Sequence, residues 1–430
     1  MKSRVQDIYT TYKGQLRSIG ILMVVFVLLK SVAYFSPLLL SKITSPKDFG
    51  EFEYLLNVGM MLSSIISIGL PGAYAYFVMK HGKTEFAPIF HLHFIILSIL
   101  ICVPAVVIPG LLSNVFFGAF VISVAFADQI MVASILKAEG KNIVSVIVDT
   151  GIYLLLSFLL ALIFFSSIAF SIELWIMVII VGQVTFSFLF HGSYLKNLSV
   201  PKKSYLKEIY GFGILILITS PLFILATNST RIYIEHFIGY TEVGVYSYFF
   251  RIAALMLLLY RVLSILMFRR MFLEDHVKLD KKIAVIMLFI ALMGMGMYIL
   301  SLSSLMNYVV STESDYYHYA YLFPLMIFQI IFWINTAFFE SLLTREKLMK
   351  HFIFLLLFII LSLVLSLGIA DYFTSISLRT IIIVNTYIIF LLFYGQQWLL
   401  RRRNIYYKKA MLIHSILGGI FTIYVSFIII

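Results

Sequence analysis

Apolar residues in this chain come in long unbroken blocks, not at the spacing of a one-sided helix or an alternating strand. A helix that spans a bilayer needs about 20 mostly apolar residues. Thirteen runs meet that length, at about 17–43, 53–79, 89–112, 115–136, 143–166, 171–194, 209–238, 243–268, 283–309, 317–343, 349–370, 378–400 and 410–430. The third and fourth are parted only by Ser113 and Asn114. The polar stretches between runs are short. Loops such as Arg269–Lys282 leave no room for a soluble catalytic domain on either face.

Placing the basic residues on this alternation gives the orientation. Every second loop collects Lys and Arg, for example Lys80 and Lys83, Lys137 and Lys141, Arg345 to Lys350, and Arg401 to Lys409. Of the 32 basic residues, 25 fall on that side, and only Lys42, Lys47 and Arg379 fall on the other. Cytoplasmic loops carry this bias, so the N-terminus is expected in the cytoplasm.

Composition agrees. The 430 residues are 62% hydrophobic and 12% charged, with mean hydropathy +1.03. A soluble domain holds about 25% charged residues, so the bilayer is the expected solvent. The net charge of +12 then reads as orientation signal and attraction to anionic membrane lipids, not as a nucleic-acid footprint. The single cysteine, Cys102, lies in an apolar run and is expected to pack. The polar start, residues 1–18, lacks the short apolar stretch and small-residue cleavage site of a removable signal peptide.

Two pairs of segments suggest an internal duplication. KDFGEF (Lys47–Phe52) follows the first run, and TEVGVY (Thr241–Tyr246) follows the seventh. Both read acid, apolar, Gly, any residue, aromatic. LKAEGKN (Leu136–Asn142) follows the fourth run and LTREKLM (Leu343–Met349) the tenth. Six spans is an even number, so the two copies would be parallel. The expected domains are a six-helix lobe at 1–196, a second at 197–400, and an additional helix within 401–430. Prolines inside runs, Pro37 and Pro221 among them, read as helix bends, either static or as the lobes move.

Four basic residues lie inside the runs: Lys30, Arg231, Arg251 and Arg261. Each costs roughly 2.5–3.5 kcal/mol at a helix centre. Two readings are open. The charges could be ion pairs that hold the bundle, as Arg231 and Glu235 could be, four residues apart on one face. Alternatively, uncompensated cations could line an aqueous gap and bind an anion. Lys30 and Arg251, deepest in their runs, favour the second reading, with Arg231 and Arg261 completing the candidate set. Arg261 and Glu340 also suit interfacial anchoring, with Glu340 reaching Arg345 or Lys347. Arg forks bind phosphate or pyrophosphate bidentately. Asp128, Asp149 and Glu235 are candidates for coupling to a proton or cation.

Several chemistries find no residues. No Walker A motif, G-x-S-x-G elbow or nucleophile–base pair is present. The histidines His91, His93, His191, His318 and His414 show no metal-ligand spacing, and His91 and His93 read as interfacial. No enzyme activity, metal or cofactor is expected. Tyr316, Tyr317, Tyr319 and Tyr321 read as an interface belt, or as a sugar-stacking surface.

The KDFGEF segment, NSTRIYIEHFIGYTEVGVYSYFFRIA (Asn228–Ala253) and the AEGKN turn resemble the polysaccharide-repeat (O-antigen and capsule) flippases of the multidrug/oligosaccharidyl-lipid/polysaccharide exporter superfamily. The resemblance implies an all-α polytopic protein. Two parallel six-helix repeats would form a V-shaped, MATE-like bundle with alternating access, plus an extra C-terminal helix. It also implies a cargo of undecaprenyl-pyrophosphate-linked oligosaccharide, carried across the bacterial cytoplasmic (inner) membrane during O-antigen, lipopolysaccharide or other surface-polysaccharide synthesis. A polysaccharide polymerase and a chain-length regulator would be partners. Related peptidoglycan-precursor flippases keep basic residues in helices one and eight, the helices that hold Lys30 and Arg251 here. Two alternatives stay open: a multidrug or organic-cation antiporter of the same superfamily, and a polysaccharide polymerase or ligase. The first would want an acidic or apolar cavity, and the second a long periplasmic loop.

Overall fold

A computed structural model describes residues 24–74, 87–166, 168–195, 203–301, 316–373 and 375–429. The polar N-terminus, the loop with Lys80 and Lys83, and the expected lobe boundary at 196/197 lie outside the described residues. The protein is an all-α polytopic membrane protein. Among the described residues, eight helices are long and apolar enough to cross a bilayer, or ten if two bent pairs each count as one span.

The chain divides into two compact units. Unit 1 holds residues 1–40 and 62–214, and unit 2 holds 41–61 and 215–430. The helices are α1 Val24–Leu40, α2 Pro46–Ile66, α3 Leu70–Tyr74, α4 Ala87–Val107, α5 Val115–Ala138, α6 Asn142–Val148, α7 Gly151–Ser166 and α8 Ile172–Leu195. They continue as α9 Lys203–Asn228, α10 Thr230–Phe237, α11 Tyr240–Ala253, α12 Leu255–Leu273, α13 His276–Ser301, α14 Phe323–Arg345, α15 Met349–Phe373, α16 Leu378–Arg401 and α17 Lys408–Ile429.

Local chemistry sets several of these boundaries. The second run was drawn from residue 53, but its helix starts at Pro46. Ser45 caps it, accepting the Asp48 N–H at 3.1 Å and donating to the Asp48 carboxylate at 2.7 Å, while proline takes the first helical turn. Asn114 closes the tight turn between the third and fourth runs, accepting the Phe117 N–H at 3.0 Å. The thirteenth run forms α17. Its first turn is capped from α13, where Asp280 accepts the Lys409 and Ala410 N–H groups, each at 3.0 Å.

Each unit is built around one buried helix. In α5 72% of the apolar span is buried, and in the span ending with α14 89% is, against 22–33% for α4, α8, α13, α15 and α17. The buried helices pack on all sides, and the others face lipid along most of their surface. In unit 1, α4, α6 and α8 pack on α5; in unit 2, α11, α12, α13 and α16 pack on α14.

Those central helices are the fourth and tenth runs, and the repeat can be followed bond by bond. In the turn after α5, Glu139, Gly140 and Lys141 donate their N–H groups to Ile135, Lys137 and Leu136. After α14, Glu346, Lys347 and Leu348 donate to Leu342, Thr344 and Leu343, every partner displaced by the same 207 positions. Gly140 has φ 78° and Lys347 φ 57°, so both turns use the left-handed conformation. The glycines of the first repeat pair behave likewise. A Cβ on Gly50 would sit 1.7 Å from the Tyr240 carbonyl oxygen, and one on Gly244 would sit 2.0 Å from the Pro46 carbonyl oxygen. Tyr240 lies four residues before Gly244, and Pro46 four before Gly50. The contact is therefore reciprocal, as a local twofold requires.

Candidate functional site

Two of the basic residues inside the runs, Arg231 and Arg251, lie at breaks in helices. The seventh run is cut between α9 and α10 at Ser229, within Asn228-Ser229-Thr230. These short polar side chains bond to nearby backbone: Ser229 donates to the Leu225 carbonyl, and Thr227 to that of Phe223 at 2.7 Å. Asn57 of α2 donates to the Asn228 carbonyl at 3.0 Å, occupying an acceptor freed at the break. The eighth run bends by 47° between α11 and α12. Arg231 follows the first break by two residues, and Arg251 precedes the second by three.

Both arginines turn to the same carboxylate. Glu53, 2% exposed and two turns into α2, accepts from the Arg251 Nε and lies 3.3 Å from Arg231 Nη2. Arg231 also donates from Nε to Ser247 at 2.7 Å, with its guanidinium 5.4 Å from the centre of the Tyr246 ring and 5.0 Å from that of Phe250. These three groups sum to +1. A neutral polar network continues from them: Tyr246 donates to Gln329 at 2.9 Å, Gln329 donates to Asn385 at 2.7 Å and Thr230 at 2.9 Å, and Thr230 donates to Asn385 at 3.0 Å. All of this lies within unit 2.

Lys30 stands in unit 1, with 5% of its side chain exposed, 2.6 Å from Asp149. Asp149 occupies the break between α6 and α7, where the fifth run bends by 58° at Asp149-Thr150-Gly151. The C-terminal end of α6 adds partial negative charge beside the ammonium. Lys30 is thus compensated, contrary to the expectation of a bare cation. Arg231 pairs with Glu53 and not with Glu235, which is half-buried. Arg345 turns to Glu346 at 3.0 Å and to the carbonyl oxygens of Met271 and Glu274, so Glu340 does not hold it. Arg261 is exposed.

Sequence reasoning missed Glu53 because the second run was started at that residue, which made it a helix end. Proline 46 preceded by serine was the signal that the helix begins earlier. It also missed the joining of Asp128 to His191 and His91, all three buried in unit 1.

No family model and no curated protein matches the sequence. Solved structures do. An outward-facing multidrug resistance MATE family transporter of the MOP superfamily shares 15% identity over 93% of this chain and 95% of its own, with a TM-score of 0.51. MATE in complex with MaD3S (16% identity, TM-score 0.51) and MATE in its straight conformation (15%, TM-score 0.52) match over the same shares. The chain has the MATE fold. At this identity the likeness carries the fold and its full extent, because almost the whole of each chain takes part. Within the MATE fold of this chain, the residues that carry charge into the apolar layer are its own, and they decide what the fold can hold.

Proposed function

We propose that the protein is a membrane transporter that flips a lipid-linked anionic saccharide, of the undecaprenyl-pyrophosphate class, from the cytoplasmic to the outer leaflet. One observation carries the reading: two buried arginines converge on the Glu53 carboxylate beside two helix breaks. A carboxylate brings one negative charge. A pyrophosphate brings more, and more oxygens placed for bidentate guanidinium contacts. Glu53 is then the resident counter-ion, keeping Arg231 and Arg251 aligned until cargo arrives. Broken helices at membrane depth are a recurring way for transporters to place polar groups at a binding site. Such a carrier needs no covalent step, and the reading is of a protein that is not an enzyme.

An organic-cation antiporter is the competing reading, and the buried Glu53 and half-buried Asp149 carboxylates are what favour it. The two are separated by deleting the chromosomal gene and complementing it with wild type, Arg231→Gln or Arg251→Gln. On the proposed reading, each variant leaves lipid-linked oligosaccharide on the cytoplasmic face and removes surface polymer while protein levels stay normal. Normal polymer from both variants, with raised sensitivity to cationic drugs, would reverse the choice.

A further inference from the structure

Unit 1 contains a second buried polar cluster, built from α4, α5 and α8. The Asp128 side chain is fully buried. Its Oδ1 lies 2.8 Å from His191 Nε2, and its Oδ2 accepts from Gln183 Nε2 at 2.6 Å. Gln183 Nε2 is also 3.1 Å from the hydroxyls of Ser98 and Ser187, which lie 2.8 Å from each other. On its far side, His191 Nδ1 lies 2.8 Å from Nδ1 of His91. Asp128, His191 and His91 therefore form a linear chain.

Hydrogen-bond chemistry permits two proton counts on this chain. A carboxylate only accepts, so His191 Nε2 carries a hydrogen. If His191 is neutral, its Nδ1 must accept from a hydrogen on His91 Nδ1, and the chain carries −1. If one proton is added, His191 donates from both nitrogens, His91 Nδ1 becomes the acceptor, and the chain is neutral. One proton thus removes a net buried charge and reverses the bond between the imidazoles without breaking any contact. A metal ion does not suit the arrangement. Both carboxylate oxygens are already hydrogen-bonded, and no cluster of three or more His, Cys, Asp or Glu able to hold a metal occurs among the described residues.

The repeat adds an independent argument. The offset of 207 that superposes the two turns places Asn335 opposite Asp128. Asn335 is fully buried in α14 and lies 3.2 Å from Nδ1 of His414. Unit 2 thus fills the matching place with a neutral amide beside an imidazole. Packing at that position does not demand a carboxylate, so the charge in unit 1 calls for another explanation.

We infer that Asp128, His191 and His91 form a proton-binding site inside unit 1. The described titratable groups around it are few. His93 of α4 is held on the Ile66 carbonyl at 3.0 Å, and Tyr74 of α3 stacks edge-on against Phe90. Tyr153 of α7 packs against Phe126, Lys137 stands in the last turn of α5, and Glu173 stands in the first turn of α8. Lys207 of α9 is exposed. A role for the site in driving transport rests on the reading proposed above, but proton occupancy does not.

The test is therefore made without cargo. Imidazole nitrogens of histidine-labelled full-length protein in lipid nanodiscs are followed by NMR from about pH 5 to pH 8, the range where histidine charges. Signals are assigned with His91→Gln and His191→Gln. In wild type, the two rings should titrate together and take up one proton between them. Asp128→Asn removes the anion that favours the loaded state, so the midpoint should fall by at least about one pH unit, a tenfold loss of proton affinity. Asp128→Glu should keep most of that affinity. Both rings staying neutral in the wild type throughout would overturn the inference, whatever the variants do. So would an Asp128→Asn protein whose rings titrate as in the wild type. A wild type that titrates as described but flips no saccharide would instead count against the transporter reading alone.

Discussion

Replacing Glu53 with glutamine keeps its shape and removes the charge that two arginines share. Unit charges about 4 Å apart interact by ~4 kcal/mol at an effective dielectric of about 20. Glu53 makes two such attractions, with Arg231 and Arg251, and these oppose the repulsion between the two guanidiniums. The variant loses both attractions and keeps the repulsion. Part of the loss returns because a buried carboxylate no longer has to be desolvated, and removing one partner of a buried pair costs about 3–5 kcal/mol in practice. Arg251→Gln behaves differently. It removes one attraction and the repulsion together, leaving Arg231 and Glu53 as a neutral pair, so its cost is about 1.5–3 kcal/mol, the scale of a lost charged hydrogen bond. Reversible unfolding of the purified protein in mixed detergent micelles measures both. The ordering is the sharper test: Glu53→Gln should be the more damaging by at least about 1 kcal/mol. If Arg251→Gln costs as much, or if Glu53→Gln is neutral, the three groups do not share charge as described.

Other consequences are simpler to state. Gly50→Ala and Gly244→Ala each place a methyl group against a backbone carbonyl, at 1.7 and 2.0 Å. Each should cost more than the usual ~1–3 kcal/mol of overpacking, read as loss of folded protein on size exclusion. Asp280→Asn weakens the cap on α17. It should cost about 0.5–2 kcal/mol and speed proteolysis near residue 408, leaving the rest of the chain intact. Lys30→Ala and Asp149→Asn should each destabilise the protein, and the double variant should cost less than the sum of the two. Strict additivity would show that the pair carries no coupling.

The sequence reading went far because the bilayer imposes a single rule: a span must be long, apolar and helical. Block length found the α4 and α13 to α17 segments directly, and loop charge supplied an orientation. The 194- and 207-residue offsets were visible as short motifs, and the reciprocal Gly50–Gly244 contact gives them a physical cause: only hydrogen fits where two helix starts cross. What block length could not see was anything polar inside a helix. Hydropathy placed the start of the second run at Glu53, because the seven residues before it, with Lys47, Asp48 and Glu51 among them, dilute the apolar signal. The break after Ala253 has no glycine, proline or polar side chain to announce it. The partners of Lys30 and Arg251 are 119 and 198 residues away in the chain. Pairing at that separation belongs to the tertiary fold, and no local pattern encodes it.

The most direct test of the central claim is transport itself, measured on purified protein in liposomes. The cargo is a fluorescent short-chain polyprenyl-pyrophosphate disaccharide, and flipping is read by loss of accessibility to a quencher. The account requires wild type to move it, and Arg231→Gln/Arg251→Gln protein, folded by size exclusion, to leave it where it was inserted. If both move the lipid equally, or if wild type ignores it and exchanges an organic cation instead, the paired arginines are structural and the carrier serves a different cargo.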